Sequence, residues 1–187
     1  MTLDEVRADA FRRLAHGAAN RRSPFHTPAL ATVDLQGRPG VRTVVLRGFD
    51  PVTRVVVLHS DVRAAKLEEV RAGPHVMLHA WDARGQVQVR VWARASLRLG
   101  EAARADWARL HPGSRATYAV APTPGTPLDD PASADRQRLP GSEAFLNFAV
   151  IEAVMDSLDW LRLARTGQRR ARFAWLGGTE TASWLVP

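Results

Sequence analysis

The sequence predicts a mainly β fold with flanking helices, built as an antiparallel barrel that is closed or partly split. Segments rich in β-branched residues recur at short spacing and are joined by turn residues. Helical patterning is confined to three stretches, too few for the strand–helix alternation of a doubly wound parallel sheet. The 187 residues, 45% of them hydrophobic, suit one domain spanning 1–187 with a substantial core. Edge strands in such a fold need a cover, and a second subunit is one way to provide it.

The elements follow in chain order. Residues 2–19 read as an amphipathic helix that starts near Thr2 or Asp4 and has Leu3, Val6, Ala10 and Leu14 on one face. With the polar connection Arg21–Pro28 it forms an N-terminal unit over 1–27. Strands are expected at Ala29–Leu35, at Val41–Phe49 after a Gln36–Gly40 turn, and at Arg54–His59 after Asp50-Pro51. Asp61–Ala72 reads as a short helix capped by Asp61, with Leu67 and Val70 on one face and Gly73-Pro74 as its stop. His75–Trp81 and Gln86–Leu97 return to strand, and Glu101–Leu110 is helical. Residues 112–140 hold six of the twelve prolines, which excludes a central strand or a long helix and predicts a structured loop. Phe148–Val154, Leu158–Leu163 and Arg172–Leu176 close the pattern, with Ser183–Val186 as a fourth short strand.

Composition narrows function before any motif is considered. No cysteine is present, so thiolate catalysis, disulfides and zinc–thiolate sites are excluded. No apolar run reaches the roughly 18 residues of a membrane span. The charged start MTLDEVRADAFRR lacks a signal-peptide core, so the expectation is a cytoplasmic protein without a membrane partner. The balance of 26 − 19 = +7 is spread along the chain in pairs such as Arg12-Arg13, which disfavours a nucleic-acid groove. The six histidines and the paired acids Glu68-Glu69 and Asp129-Asp130 show no metal-ligand spacing; those acids read as solvated surface and no metal site is expected. Lys66 is the sole lysine among the 26 basic residues, a compact ammonium in a chain that otherwise uses arginine.

Lys66 falls within Ser60-Asp61-Val62-Arg63-Ala64-Ala65-Lys66, where a strand gives way to a helix N-terminus. Free backbone N–H groups and the helix dipole favour an anion there. Arg63 and Lys66 in a first turn oppose that dipole, a penalty that a bound phosphate reverses. Upstream, Arg42-Thr43-Val44-Val45-Leu46-Arg47 reads as one strand with Thr43, Val45 and Arg47 facing one way and Arg42, Val44 and Leu46 the other.

Taken in order, R-x-V-x-L-R on one strand, S-D-x-R-x-x-K at a helix start and a later Q-V-x-V strand resemble the pyridoxamine 5'-phosphate oxidase family, in its broader FMN-binding split-barrel branch. The resemblance runs from about Pro28 to the C-terminus. It implies a homodimer of split barrels with FMN in clefts between the subunits. Arg42 and Lys66 would hold the FMN phosphate, with Arg63 beside them and Ser60 donating a hydroxyl. The backbone of Thr43, Val44 and Val45 would run along the flavin, Arg47 would lie near the ring, and Gln86 would reach the flavin from a side strand. Arg172 would approach the cofactor from the partner subunit. The implied activity is passage of a hydride or electron pair between a small substrate and FMN, with a non-catalytic FMN carrier or sensor as the alternative. At the positions of the tyrosine and arginine that grip substrate phosphate in the oxidase, this chain has residues near Trp107 and Leu110 of neither type, so the cofactor half of the pattern is kept and the substrate half is changed.

Overall fold

The computed structural model describes residues 1–187. Helix α1 (Leu3–Ala19) begins with a capping box: Thr2 Oγ1 accepts from the Glu5 N–H, and the Glu5 carboxylate accepts from the Thr2 N–H. Its buried face is Val6, Ala10, Leu14 and Gly17. Gly17 has no substitute, because a Cβ there would lie 2.7 Å from the Phe25 carbonyl oxygen.

Nine strands follow: β1 (Ala29–Val33), β2 (Pro39–Thr43), β3 (Leu46–Asp50), β4 (Val55–Asp61), β5 (His75–Asp82), β6 (Val87–Leu99), β7 (Phe148–Arg162), β8 (Arg169–Leu176) and β9 (Thr179–Leu185). Every pairing is antiparallel. The order β2-β1-β5-β6-β7 then forks at the far edge of β7. The first half of β7, Phe148–Val154, pairs with β4, and the second half, Ser157–Arg162, pairs with β8. Opposite the fork the β6–β7 register slips between Trp92 and Ala93, leaving Asp156 as the extra residue of a bulge. This fork is the split of the barrel.

Alternation along the strands fills the interior. Leu58, Leu78, Val89, Val91, Ile151, Leu158, Trp160 and Phe173 are each at most 3% exposed. A second, smaller core lies outside β7, where Phe148 and Val150 meet Ala103, Tyr118 and Ala144, with Trp107 packed edge-on against Tyr118. No helix is long and apolar enough to cross a membrane.

Several sequence expectations are corrected. The strand expected over Val41–Phe49 is two strands: β2 pairs with β1 and β3 with β4, and the chain crosses between them at Val44-Val45, where the Val44 N–H donates to Pro28 O and the Leu46 N–H to His26 O. Pro39 and Gly40, read as turn, already belong to β2, because the turn closes earlier with Asp34 accepting from the N–H groups of Gln36 and Arg38. The two strands expected at Phe148–Val154 and Leu158–Leu163 are one, bulged rather than broken. Of the strand expected at Ser183–Val186, Ser183–Leu185 form the end of the longer β9 and Val186 lies beyond it. Glu101–Leu110 divides into a 3₁₀ turn at Gly100–Ala103 and helix α3 (Arg104–Arg109). Within 112–140 lie the short helices α4 (Pro112–Ala116) and α5 (Ala132–Arg136), and α6 (Gly141–Leu146) follows.

Candidate functional site

Strand β4 stays extended through Asp61 because its ladder with β7 continues to the Asp61–Phe148 pair. The chain then turns over Val62–Ala64 into helix α2 (Ala65–Ala72). Asp61, expected as the helix cap, is therefore the last residue of a strand, and Ala64 at the cap position offers no side-chain acceptor. The N–H groups at the start of α2 are thus left without a side-chain partner.

Lys66 occupies the first turn of α2, half-buried, with no hydrogen bond or ion pair from its ammonium. Burial lowers its pKa, and the neighbouring Arg42 lowers it further. Arg42, on β2, donates to Thr32 Oγ1 and to Leu30 O, and its Nη2 lies 2.9 Å from Glu69 Oε2. Glu69 is not the solvated residue that the sequence suggests. Its side chain is 12% exposed and also accepts from the Thr32 hydroxyl. Two cations and one carboxylate therefore share the flank of α2, leaving one positive charge unbalanced.

The remaining residues of the predicted stretch lead away from this point. Thr43 ends β2 exposed, Val44 is buried and Val45 is half-buried. Arg47 stands exposed on β3 at the rim of an open depression of about 420 Å³ lined with His59, Asp106, Arg109 and Leu110. The His59 ring packs edge-on against Phe148, and burial, reinforced by Arg47, depresses its pKa to about 4. Tyr118 lies close by, its phenol pushed up to about 12 by burial. Ser60 is buried, and its hydroxyl donates to the Asp61 carbonyl at 3.2 Å. The guanidinium of Arg63 is taken up by Asp61 and by the carbonyls of Val120 and Ala121.

Gln86 and Arg172 lie apart from α2 and from each other, Gln86 before β6 and Arg172 level with Arg90. Gln86 precedes β6 in a left-handed conformation (φ 51°), and its carbonyl accepts from Leu163 N–H. The Ala95 N–H bonds Pro74 O just beyond α2, and nine residues of β6 separate Ala95 from Gln86 (95 − 86), roughly 30 Å at about 3.3 Å per residue. Arg172, on β8, lies in one cross-strand row with Asp159 and Arg90 and stacks 5.7 Å from the Trp92 ring centre. Asp159, 2% exposed, pairs with Arg90 at 3.1 Å and Arg170 at 2.9 Å. Sequence reading missed this cluster, although an acid set between Leu158 and Trp160 in a predicted strand signals a buried ion pair.

Comparison with known proteins agrees with this architecture. The family model described as pyridoxamine 5'-phosphate oxidase, FMN-binding domain, matches residues 8–98, the segment that carries Arg42, Lys66 and Gln86. The chain is similar to the pyridoxamine 5'-phosphate oxidase family and shares its FMN-binding split-barrel fold. Among curated members of that family, the pyridoxine/pyridoxamine 5'-phosphate oxidase 2 of Arabidopsis thaliana is 28% identical over 165 residues, covering 83% of this chain and 82% of the relative. The pyridoxine/pyridoxamine 5'-phosphate oxidase of Xylella fastidiosa (strain 9a5c) is 30% identical over 141 residues, covering 68% of this chain and 66% of the relative. A pyridoxamine 5'-phosphate oxidase-related, FMN-binding protein from Nostoc punctiforme superposes with a TM-score of 0.81 at 23% identity, over 96% of each chain, and so shares the oxidase-like fold. Arg172 lies beyond the matched family segment.

Proposed function

We propose that the chain binds FMN and works as an FMN-dependent oxidoreductase on a small substrate. The observation that carries this reading is the unpaired, half-buried ammonium of Lys66 beside Arg42 at the uncapped start of α2. A desolvated cation with no internal partner is costly, and a phosphate dianion relieves that cost through charge-assisted hydrogen bonds. The donor set therefore suits a phosphomonoester such as that of FMN. Lys66 and Arg42 would hold the phosphate, with the N–H groups of α2 behind them. The Thr43–Val45 crossover would border the ring, and Arg47 would stand at the edge of the substrate depression. FMN, when bound, supplies two-electron redox chemistry at its ring. The chain's own part is to fix the phosphate, exclude water along Val44 and Leu46, and present the Arg47–His59 depression, whose volume falls in the range of small-molecule sites. His59 stays neutral near pH 7, so it offers that depression a hydrogen-bonding imidazole rather than a charge.

The separation of Gln86 and Arg172 from Lys66 bears on assembly. One ligand touched by both Lys66 and Gln86, which stand at points nine residues apart along β6, would lie between two chains. A homodimer with FMN in each inter-subunit cleft satisfies this. Arg172, exposed and held against Trp92, would in such a dimer be free to meet the partner's cofactor.

The test is direct. Purified protein is titrated with FMN and with riboflavin by flavin fluorescence quenching, and bound flavin is then offered NADPH and pyridoxamine 5'-phosphate without oxygen. Saturable quenching that prefers FMN, with bleaching of the visible flavin band by a reductant, is the expected result. Absence of quenching refutes FMN binding, and bound flavin that no reductant bleaches assigns the carrier role instead.

A further inference from the structure

We propose that Arg63 is the latch that holds the 117–139 segment over the entrance to α2, acting as a positioning residue rather than as a phosphate contact. The motif sets Arg63 three residues before Lys66, so both are expected on one anion. The geometry separates them. Arg63 Nε and Nη2 donate to the two Asp61 carboxylate oxygens at 2.9 and 2.7 Å. Nη1 donates to Ala121 O at 2.9 Å, and Nη2 donates again to Val120 O at 3.0 Å. A guanidinium has five N–H donors, and these contacts engage four, leaving one on Nη1. The charge is balanced as well: Asp61 raises the pKa of Arg63 and binds the Arg63 backbone N–H at 2.9 Å. No free fork remains for a dianion.

The two carbonyls that Arg63 holds close a loop. The Ala121 N–H donates to Gln137 O, the Leu139 N–H donates to Ala119 O, and Val120 faces Arg138 across an isolated antiparallel bridge. Residues 121–137, which carry four prolines, thus project from a neck whose backbone is clamped by Arg63. Beneath the neck, Asn147 Nδ2 donates to Tyr118 O, while Asn147 O accepts from Val62 N–H. Both side-chain tethers therefore join the neck to the β4–α2 turn. Between Asp61, Arg63 and the loop residues Thr117, Thr123 and Thr126 lies a cavity of about 280 Å³. Asp61, on its wall, is near enough to Lys66 for its charge to act on that ammonium. The planar fork explains the choice of residue: arginine grips a carboxylate and two carbonyls at once, whereas lysine has one point of attachment.

The latch stands apart from the FMN reading, but its consequence for ligand release rests on it. The experiment compares wild type with Arg63→Lys, Asp61→Asn and Lys66→Ala. Tryptic cleavage after Arg136 and Arg138 is quantified by mass spectrometry, and FMN and riboflavin affinities and FMN release rates are measured in parallel. Arg63→Lys keeps the charge and loses the fork. It is expected to raise loop cleavage about tenfold and to speed FMN release while retaining the preference for FMN over riboflavin. Asp61→Asn is expected to raise cleavage likewise, and Lys66→Ala to lose the preference with the loop still protected. Wild-type protection of the loop in Arg63→Lys overturns the latch, as does loss of the FMN preference to the level of Lys66→Ala. If wild type takes up no FMN, the functional reading fails and the cleavage comparison alone decides the latch.

Discussion

Replacing Glu69 by glutamine should tighten FMN binding while weakening the fold. In the structure Arg42 and Lys66 contribute two positive charges and Glu69 removes one, so the variant doubles the net charge of the α2 flank from +1 to +2. An anion that touches both cations is separated from Glu69 by about one guanidinium width, on the order of 5–7 Å. Two phosphate charges at that range repel a carboxylate by ~1–2 kcal/mol when the effective dielectric is near that of water. Removing the repulsion corresponds to a roughly 5- to 30-fold lower Kd. The same change weakens the carboxylate contacts to Arg42 and Thr32, which should cost about 1 kcal/mol of stability. Affinity and stability thus move in opposite directions. The assay is fluorescence titration with FMN at low and moderate salt, beside urea unfolding of the ligand-free protein. Riboflavin, which lacks the phosphate, should show no gain. If Glu69→Gln weakens FMN, or tightens riboflavin equally, the phosphate does not sit against Arg42 and Lys66.

Two further outcomes test the energetics. His59 titrates near 4 in the fold against 6.5 when unfolded, so its contribution is fully present above pH 6.5 and is lost as pH falls toward 4. The difference caps the effect at about 3 kcal/mol and solvent around the ring reduces it to about 1–2; His59→Phe should flatten stability across that window, and an unchanged pH profile would remove His59 as its source. Asp159→Asn withdraws a carboxylate that is 2% exposed from two arginines that are each 29% exposed, and should lower the urea midpoint by the equivalent of about 2–3 kcal/mol with an unchanged slope. A loss below about 0.5 kcal/mol, the scale of an ordinary surface change, would show that the pair contributes little.

Much of the fold is legible because its signals are local. The helix start near Thr2, the Gly73 stop and the strand at His75–Trp81 all depend on neighbours within a few residues. The errors occur where a partner strand decides. Nothing within Val41–Phe49 marks the crossing at Val44-Val45; the break exists because β1 claims one side and β4 the other. Phe148–Arg162 read as two strands for a related reason. The Asp156 bulge interrupts the alternation, but β6 pairs continuously on both sides of it and holds the segment together.

The candidate site divides along the same line. Lys66 is visible in the sequence as a lone ammonium at a strand-to-helix junction, and its half-buried position follows from Leu67 and Val70 anchoring the other face of α2. The partners that set the site's charge are not visible. Glu69 meets Arg42 across 27 residues and Thr32 across 37, and Arg63 meets Val120 across 57. A spacing rule sees Arg63 and Lys66 as one basic pair and Glu68-Glu69 as one acidic pair. The folded chain divides each pair differently: Glu69 turns inward to Arg42 while Glu68 stays exposed, and Arg63 turns to the loop neck while Lys66 stays unpaired. Spacing therefore reports which charges are near α2, and only the tertiary contacts report which of them is still unbalanced, the property on which anion binding depends.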